Sequence, residues 1–298
     1  MIGATNKAGE SGMQIIRAGQ GLEAALATVR GGGATLALVP TMGALHAGHL
    51  ALVARARSLA DRVAATIFVN PLQFNDATDL ALHPRQEEAD LAQLEAAGCD
   101  LVWLPTTETL YPPGFATTIS VAHVSERWEG EHRPGHFDGV ATVVCKLLLS
   151  VRPDVAVFGE KDWQQLSVIR RMVADLGSSV RIESHPTVRE ADGLAMSSRN
   201  VRLSAGDRAR AVALPLALNR AATRIADGDA VPEALAEART AVLTGGFSDL
   251  DYLALVDGSS LEPMESPSEN MRLIAAATIG GVRLIDNMGV TLEPQVRG

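Results

Sequence analysis

Val39-Pro40-Thr41-Met42-Gly43-Ala44-Leu45-His46-Ala47-Gly48-His49-Leu50 is the stretch from which the fold of this chain is read. The run Thr35 to Val39 before it has the continuous apolar character of a strand buried on both faces of a parallel sheet. Pro40 and Gly43 then mark a turn, and a helix opens near Gly48. In a strand–turn–helix unit of this kind, backbone N–H groups at the helix N-terminus are presented to the phosphates of a nucleotide. His46 and His49 lie three residues apart at the helix mouth and so face the same ligand. A histidine there is able to donate a hydrogen bond to the charge that builds on a phosphate under attack. Taken alone, H-x-G-H has a second and weaker reading, two ordinary surface histidines at a helix cap, and the rest of the chain weakens it further.

Working outward, Leu22, Leu26 and Val29 mark one face of a helix stopped by Gly31-Gly32-Gly33. Leu50, Val53 and Ala54 are expected to pack the His46/His49 helix on the sheet. Val63 to Val69 is a second buried strand, ended by Pro71 in Asn70-Pro71-Leu72-Gln73-Phe74. Glu87 to Ala97 is a helix closed by Gly98, and Leu101 to Leu104 is a third strand. Val140, Val143, Val144, Leu147 and Leu148 recur at helical spacing. The strand Val155–Phe158 leads into a helix carrying Leu166, Ile169, Val173 and Leu176, and Val180 to Ser184 closes the series. Alternation of strand and helix predicts a Rossmann-like, doubly wound parallel sheet. After Pro186–Arg189 come two helical segments, Ser204 to Asp227 and Val231 to Leu243, and three strand-like runs with a hairpin signal at Gly280-Gly281. The expected organisation is α/β, with residues 1–187 as a Rossmann-like domain and 188–298 as a smaller α+β C-terminal domain covering the site. Residues 1–12 are small, polar and aperiodic, and are read as a disordered leader.

Composition limits the function classes. The formal net charge is −9, which argues against a general nucleic-acid surface. No apolar run approaches the ~18 residues of a membrane span, and no signal peptide is evident, so a cytoplasmic protein away from the membrane is expected. Cys99 and Cys145 stand far from any metal-type or C-x-x-C partner and read as buried thiols. Only Lys7, Lys146 and Lys161 are lysines among 26 basic residues. In so arginine-rich a chain, Lys161 inside Gly159-Glu160-Lys161-Asp162 looks chosen for its compact ammonium. A third loop, Met196-Ser197-Ser198-Arg199, places two hydroxyls beside a guanidinium. Each loop alone is weak evidence; the three in this order point to nucleotide binding.

The motifs then become specific. Pro40–His49 (PTMGALHAGH), Phe68–Phe74 (FVNPLQF), Arg133–Val140 (RPGHFDGV), Phe158–Leu166 (FGEKDWQQL), Asp192–Asn200 (DGLAMSSRN) and Arg283–Asn287 (RLIDN) resemble pantothenate synthetases. These are H-x-G-H nucleotidyltransferase relatives, also called pantoate–β-alanine ligases. The resemblance runs from about Gln14 to Val290 with the motifs in family order. It implies condensation of pantoate with β-alanine, driven by cleavage of ATP to AMP and pyrophosphate through an enzyme-bound pantoyl adenylate. It also implies Mg²⁺ as cofactor and a homodimer.

By resemblance, Met42, Gly43, Ala44, Leu45, His46, Ala47, Gly48 and His49 line the ATP site, with His49 the proton donor and His46 its companion on the phosphates. Gly159, Glu160, Lys161 and Asp162 form the second ATP segment; Val188, Met196, Ser197, Ser198 and Arg199 form the third. Lys161 joins the two histidines as catalytic. Gln73 and Gln165 match amides that contact pantoate, with Gln73 near β-alanine. An uncharged amide suits a diol acid, since it binds hydroxyls without neutralising the nucleophilic carboxylate. Asn70, Arg133 and His136 also match family positions, without an assigned role. No metal ligands are assigned, although Asp90 and Gln93 are candidates for the metal side of the phosphates. His83-Pro84-Arg85 departs from the family's usual Tyr-Pro-Arg, which bears on the loop covering the site. The competing reading is an adenylyltransferase for another small acid or a phosphorylated substrate. An aminoacyl-tRNA synthetase is opposed by the acidic charge, and a nucleotide-sensing module has no need of both His49 and Lys161.

Overall fold

A computed structural model of the chain describes residues 12–75, 80–81 and 84–292. The expected leader, residues 1–11 of it, and His83 lie outside the described residues. Six strands form one all-parallel sheet: β1 (Gln14–Arg17), β2 (Leu36–Thr41), β3 (Arg62–Ile67), β4 (Leu101–Leu104), β5 (Val155–Gly159) and β6 (Arg181–His185). Their order is β1-β4-β3-β2-β5-β6. The chain thus moves outward from β2 through β3 to β4 on one side, and from β5 to β6 on the other. The reversal lies between β2 and β5, which pair in parallel at Ala37–Val155 and Leu38–Ala156. A crevice forms at the carboxyl ends of strands where the order reverses.

The two-residue period of the strands divides the core. Leu36, Leu38, Ala64, Leu101, Trp103 and Ala156 face one side, with helices α1 (Leu22–Val29), α6 (His136–Val151) and α7 (Trp163–Asp175). Ala37, Val39, Ala65, Val102, Val155 and Val157 face the other, with α2 (Ala47–Arg57) and α3 (Glu87–Ala96). Both faces are covered, which is why the central strands read as unbroken apolar runs. Single-turn helices α4 (Thr107–Leu110) and α5 (Glu129–His132) lie in the connection before α6.

Two details differ from the helix faces expected. On α2 the buried residues are Leu52, Val53 and Ala56, while Ala54 is exposed, because the helix begins at Ala47 with its first turn committed to the site. Leu176 caps α7 and is exposed. The expected helix from Ser204 to Asp227 is two helices, α8 (Ala205–Arg210) and α9 (Ala213–Ala226). Pro215 lies in the first turn of α9, where a missing N–H costs least. With α10 (Val231–Thr244), α9 packs on an antiparallel sheet of β7 (Asp249–Asp257), β8 (Met271–Ile279) and β9 (Val282–Val290). The β8–β9 hairpin turns at Gly280-Gly281, as expected. Leu253, Leu255, Leu273 and Ala275 point at those helices, whereas Ala254, Val256 and Ile274 join the core of the larger sheet. The small sheet is therefore held between its own helices and the parallel unit.

Candidate active site

The H-x-G-H turn leaves β2 at Thr41, whose hydroxyl donates to the Thr66 carbonyl at 2.7 Å. Asp90 of α3 accepts from the Ala44 N–H at 2.9 Å and the Leu45 N–H at 2.8 Å, and is 1% exposed. That carboxylate braces the turn from behind, so it is not the metal-side residue expected. Gln93 donates to the Ala89 carbonyl of its own helix. His46 caps α2: its Nδ1 accepts from the Gly48 N–H at 3.1 Å, while its own N–H donates to His49 Nδ1 at 3.3 Å. A Cβ on Gly48 would sit 2.8 Å from His46 Cε1, which explains the glycine in H-x-G-H. With both Nδ1 atoms accepting, each neutral ring carries its proton on Nε2. Burial, reinforced by the Lys161 charge, lowers the His46 pKa and keeps that ring neutral at neutral pH. The ring centroids are 4.2 Å apart.

The other two loops approach from β5 and from the segment after β6. Lys161 follows the carboxyl end of β5, 3.9 Å from Asp162. Glu160 turns away: it accepts from the Ser184 hydroxyl at 2.9 Å and pairs with Arg272 at 3.3 Å. Met196-Ser197-Ser198-Arg199 is carried by a short antiparallel bridge, Arg189 with Ala195, and by the Met196 N–H donating to the Val188 carbonyl at 3.0 Å.

Gln73 stands in the turn Pro71–Gln73 and is held on several sides. Asn70 Nδ2 donates to Gln73 Oε1 at 3.1 Å and to the Gly139 carbonyl at 3.0 Å, while Tyr111 donates to Asn70 Oδ1 at 2.8 Å. The Gln73 carbonyl accepts from His136 Nδ1 at 2.7 Å and from Arg133 at 3.2 Å. A Cβ on Gly139 would lie 2.3 Å from the Leu72 carbonyl oxygen, so α6 meets this turn backbone to backbone. The Arg133–Val140 motif, which had no assigned role, is thus the cradle of Gln73. Gln73 Nε2 lies 2.9 Å from Met42 Sδ, a weak acceptor that leaves the amide able to serve a ligand. On α7, Gln164 is consumed by protein, accepting from the Glu129 N–H and donating to the Val124 and Arg127 carbonyls.

These parts surround one cavity of about 240 Å³. It is lined by Met42, His46, Gly48 and His49; by Gly159, Lys161, Asp162 and Gln165; by Gln73; and by Val188, Met196, Ser197, Ser198 and Arg199. Gly43, Ala44, Leu45, Ala47 and Glu160, expected among the ATP-site residues, do not line it. The reasons are the bracing of Ala44 and Leu45 by Asp90, the exposure of Ala47 on the outer side of α2, and the pull of Arg272 on Glu160. Sequence reasoning missed the apolar wall of Phe68, Val140, Val143, Val144 and Leu147. Those helical positions look the same from sequence whether they face core or ligand. A second cavity of about 440 Å³ shares Lys161, Asp162, Ser197 and Arg199 and reaches beneath the small sheet. Among the described residues no group of three or more His, Cys, Asp or Glu is placed to hold a metal, and no helix is long and apolar enough to cross a membrane.

A cavity at the sheet's reversal point, with a histidine-capped helix on one wall and a lysine loop on another, defines an α/β enzyme of the parallel-sheet, nucleotide-binding class. The family model for pantoate-beta-alanine ligase matches residues 14–289. The pantothenate synthetase of Rhizorhabdus wittichii is 55% identical over 282 residues, covering 95% of this chain and 100% of that protein. That of Cereibacter sphaeroides is 57% identical over 276 residues, covering 93% and 99%. A crystal structure of pantothenate synthetase from Thermus thermophilus aligns with a TM-score of 0.88 at 45% identity, over 94% of this chain and all of that one. The pantoate-beta-alanine ligase of Francisella tularensis, complexed with beta-gamma ATP and beta-alanine, aligns with a TM-score of 0.76 at 32% identity, over 93% and 97%. The chain belongs to the pantoate–β-alanine ligase family.

Proposed function

We propose that this chain joins pantoate to β-alanine through a pantoyl adenylate, and that both half-reactions occur in the cavity between β2 and β5. One observation carries the reading: phosphate-type donors and unionised amides line the same cavity. In the first step a pantoate carboxylate oxygen attacks the α-phosphorus of ATP, and the bond to the β-phosphate breaks, releasing pyrophosphate. In the second, the deprotonated amine of β-alanine attacks the acyl carbon, and AMP leaves with the former carboxylate oxygen.

The carboxylate is already a nucleophile, so the barrier of the first step lies in charge on the α-phosphate and on the departing pyrophosphate. His49 and His46 are assigned to donate from Nε2, a position their reciprocal Nδ1 contacts favour. Lys161 supplies the cation, and Ser197, Ser198 and Arg199 receive the phosphates from the opposite loop. Gln73 and Gln165 are assigned to pantoate. Both glutamines line the cavity, which supports that assignment. The wall of Val140, Val143 and Val144 offers an apolar surface to pantoate's geminal methyl groups.

Magnesium is proposed to come with the triphosphate, and Asp162, the one carboxylate lining the cavity among the described residues, would be placed to hold it. Bound there, it would neutralise charge on pyrophosphate. The division near Thr187/Val188 into two domains, a homodimer of twice the 31.3 kDa chain mass, and a cytoplasmic setting are parts of the same proposal. An apolar cluster shared by α9, α10 and the inward side chains of the small sheet supports the division, while Ala254, Val256 and Ile274 of that sheet pack into the core of the parallel unit.

The test is exchange of labelled pyrophosphate into ATP with pantoate present and β-alanine absent. The proposal expects pantoate-dependent exchange. Exchange that requires β-alanine would mean that no free-standing adenylate forms.

A further inference from the structure

The Arg283–Asn287 motif on β9 has no part in the roles above, yet its last two residues grip both phosphate loops. Asn287 is buried, and its Nδ2 donates to the Glu160 carbonyl and the Lys161 carbonyl at 2.8 Å each. Its Oδ1 accepts from Arg272, whose guanidinium lies 3.4 Å over the Trp163 ring. Asp286, also buried, holds Arg189 through two hydrogen bonds of 2.8 and 2.9 Å. Arg189 belongs to the bridge that carries Ser197–Arg199, and it also donates to the Asn287 carbonyl at 3.3 Å. Adjacent residues of one strand therefore hold the Lys161 loop with one side chain and the Ser197–Arg199 loop with the other.

A buried amide and a buried ion pair stabilise a strand less reliably than apolar side chains of the same size. The small sheet is docked by other polar contacts as well. Arg283, on the same strand, reaches Glu129 of the larger unit at 2.9 Å, and Tyr252 donates to that carboxylate at 2.8 Å. We infer that Asp286 and Asn287 are positioning residues: together they set the spacing between the Lys161 loop and the Ser197–Arg199 loop, and so the place of the triphosphate. This rests on the assignment of those two loops to phosphate. Asn287 fixes the backbone from which Lys161 projects, and Asp286 fixes the hairpin facing it.

Asn287→Asp keeps the side chain's shape and its contact with Arg272 but turns both donors into acceptors facing carbonyls. Pantoate-dependent pyrophosphate exchange at saturating ATP should fall ~100-fold, the scale of an ångström's misplacement of reacting groups. Pantothenate formation from supplied pantoyl adenylate and β-alanine should stay within about threefold of wild type, since no triphosphate takes part. Arg272→Gln, which frees Asn287 Oδ1, should show the same split and serves if Asn287→Asp does not fold. Exchange near the wild-type rate in either folded variant overturns the inference, as does equal loss in both half-reactions. Lys161→Ala is measured alongside. If it leaves exchange intact, the phosphate-loop assignment itself has failed; if it abolishes exchange while Asn287→Asp does not, only the positioning role has failed.

Discussion

Gln164 and Gln165 are adjacent in sequence, and the phase of α7 separates them. Gln164 turns inward, where its amide meets three backbone groups; Gln165 turns to the cavity. Gln165→Ala should raise the KM for pantoate roughly 2- to 10-fold with stability unchanged, the loss of one ordinary hydrogen bond. Gln164→Ala should do the reverse, costing about 1–3 kcal/mol of stability because it leaves buried backbone groups unpaired. Steady-state kinetics and denaturant titration of the pair decide it; a stable Gln165→Ala with wild-type KM removes that residue from the pantoate site. At this scale the sequence was legible where a side chain sits in a motif at a strand or helix end, as with His46, His49 and Lys161, which line one cavity. It was silent where competition decided the outcome. Asp90 lies beside two backbone N–H groups that no spacing announces, and Glu160 is drawn off by an arginine 112 positions later.

The start of α6 shows what a whole element contributes. Its first residue, His136, grips the Gln73 carbonyl through Nδ1–H and accepts from Arg133 at Nε2, 3.2 Å away. Burial first, and then the Arg133 charge, push its pKa from 6.5 down to about 4. The unfolded chain therefore binds the proton more readily between those values, and stability from this group rises with pH across that window. It is fully present above about pH 6.5 and lost as pH falls towards about 4, a swing of roughly 2–4 kcal/mol. His136→Asn, which retains a donor near Nδ1, should flatten the difference in unfolding free energy between about pH 5 and about pH 7.5. An unchanged difference in that variant would assign the acid sensitivity to another group. Strands were the most legible elements, since β2, β3, β4 and β5 are buried on both faces and read as apolar runs. β1 was missed for the opposite reason: its Gln-Ile-Ile-Arg is an edge strand with alternating exposure, too short for a pattern.

For the molecule as a whole, a parallel sheet followed by a smaller α+β unit was expected, and a six-stranded parallel sheet and a three-stranded antiparallel one are present. Strand order was not readable, because it depends on which neighbour each strand chooses rather than on its own composition. That order places the carboxyl ends of β2 and β5 side by side, so His46, His49 and Lys161 meet although more than 100 residues separate them. The central claim is that this convergence serves charge on ATP's phosphates and nothing later in the reaction. Its most direct test times the two half-reactions separately in His49→Ala and Lys161→Ala. Each substitution should slow ATP-dependent pyrophosphate release by roughly 10²–10³-fold, while amide formation from supplied pantoyl adenylate and β-alanine stays close to wild type. Equal losses in both steps would contradict the account and make these residues holders of the site's shape.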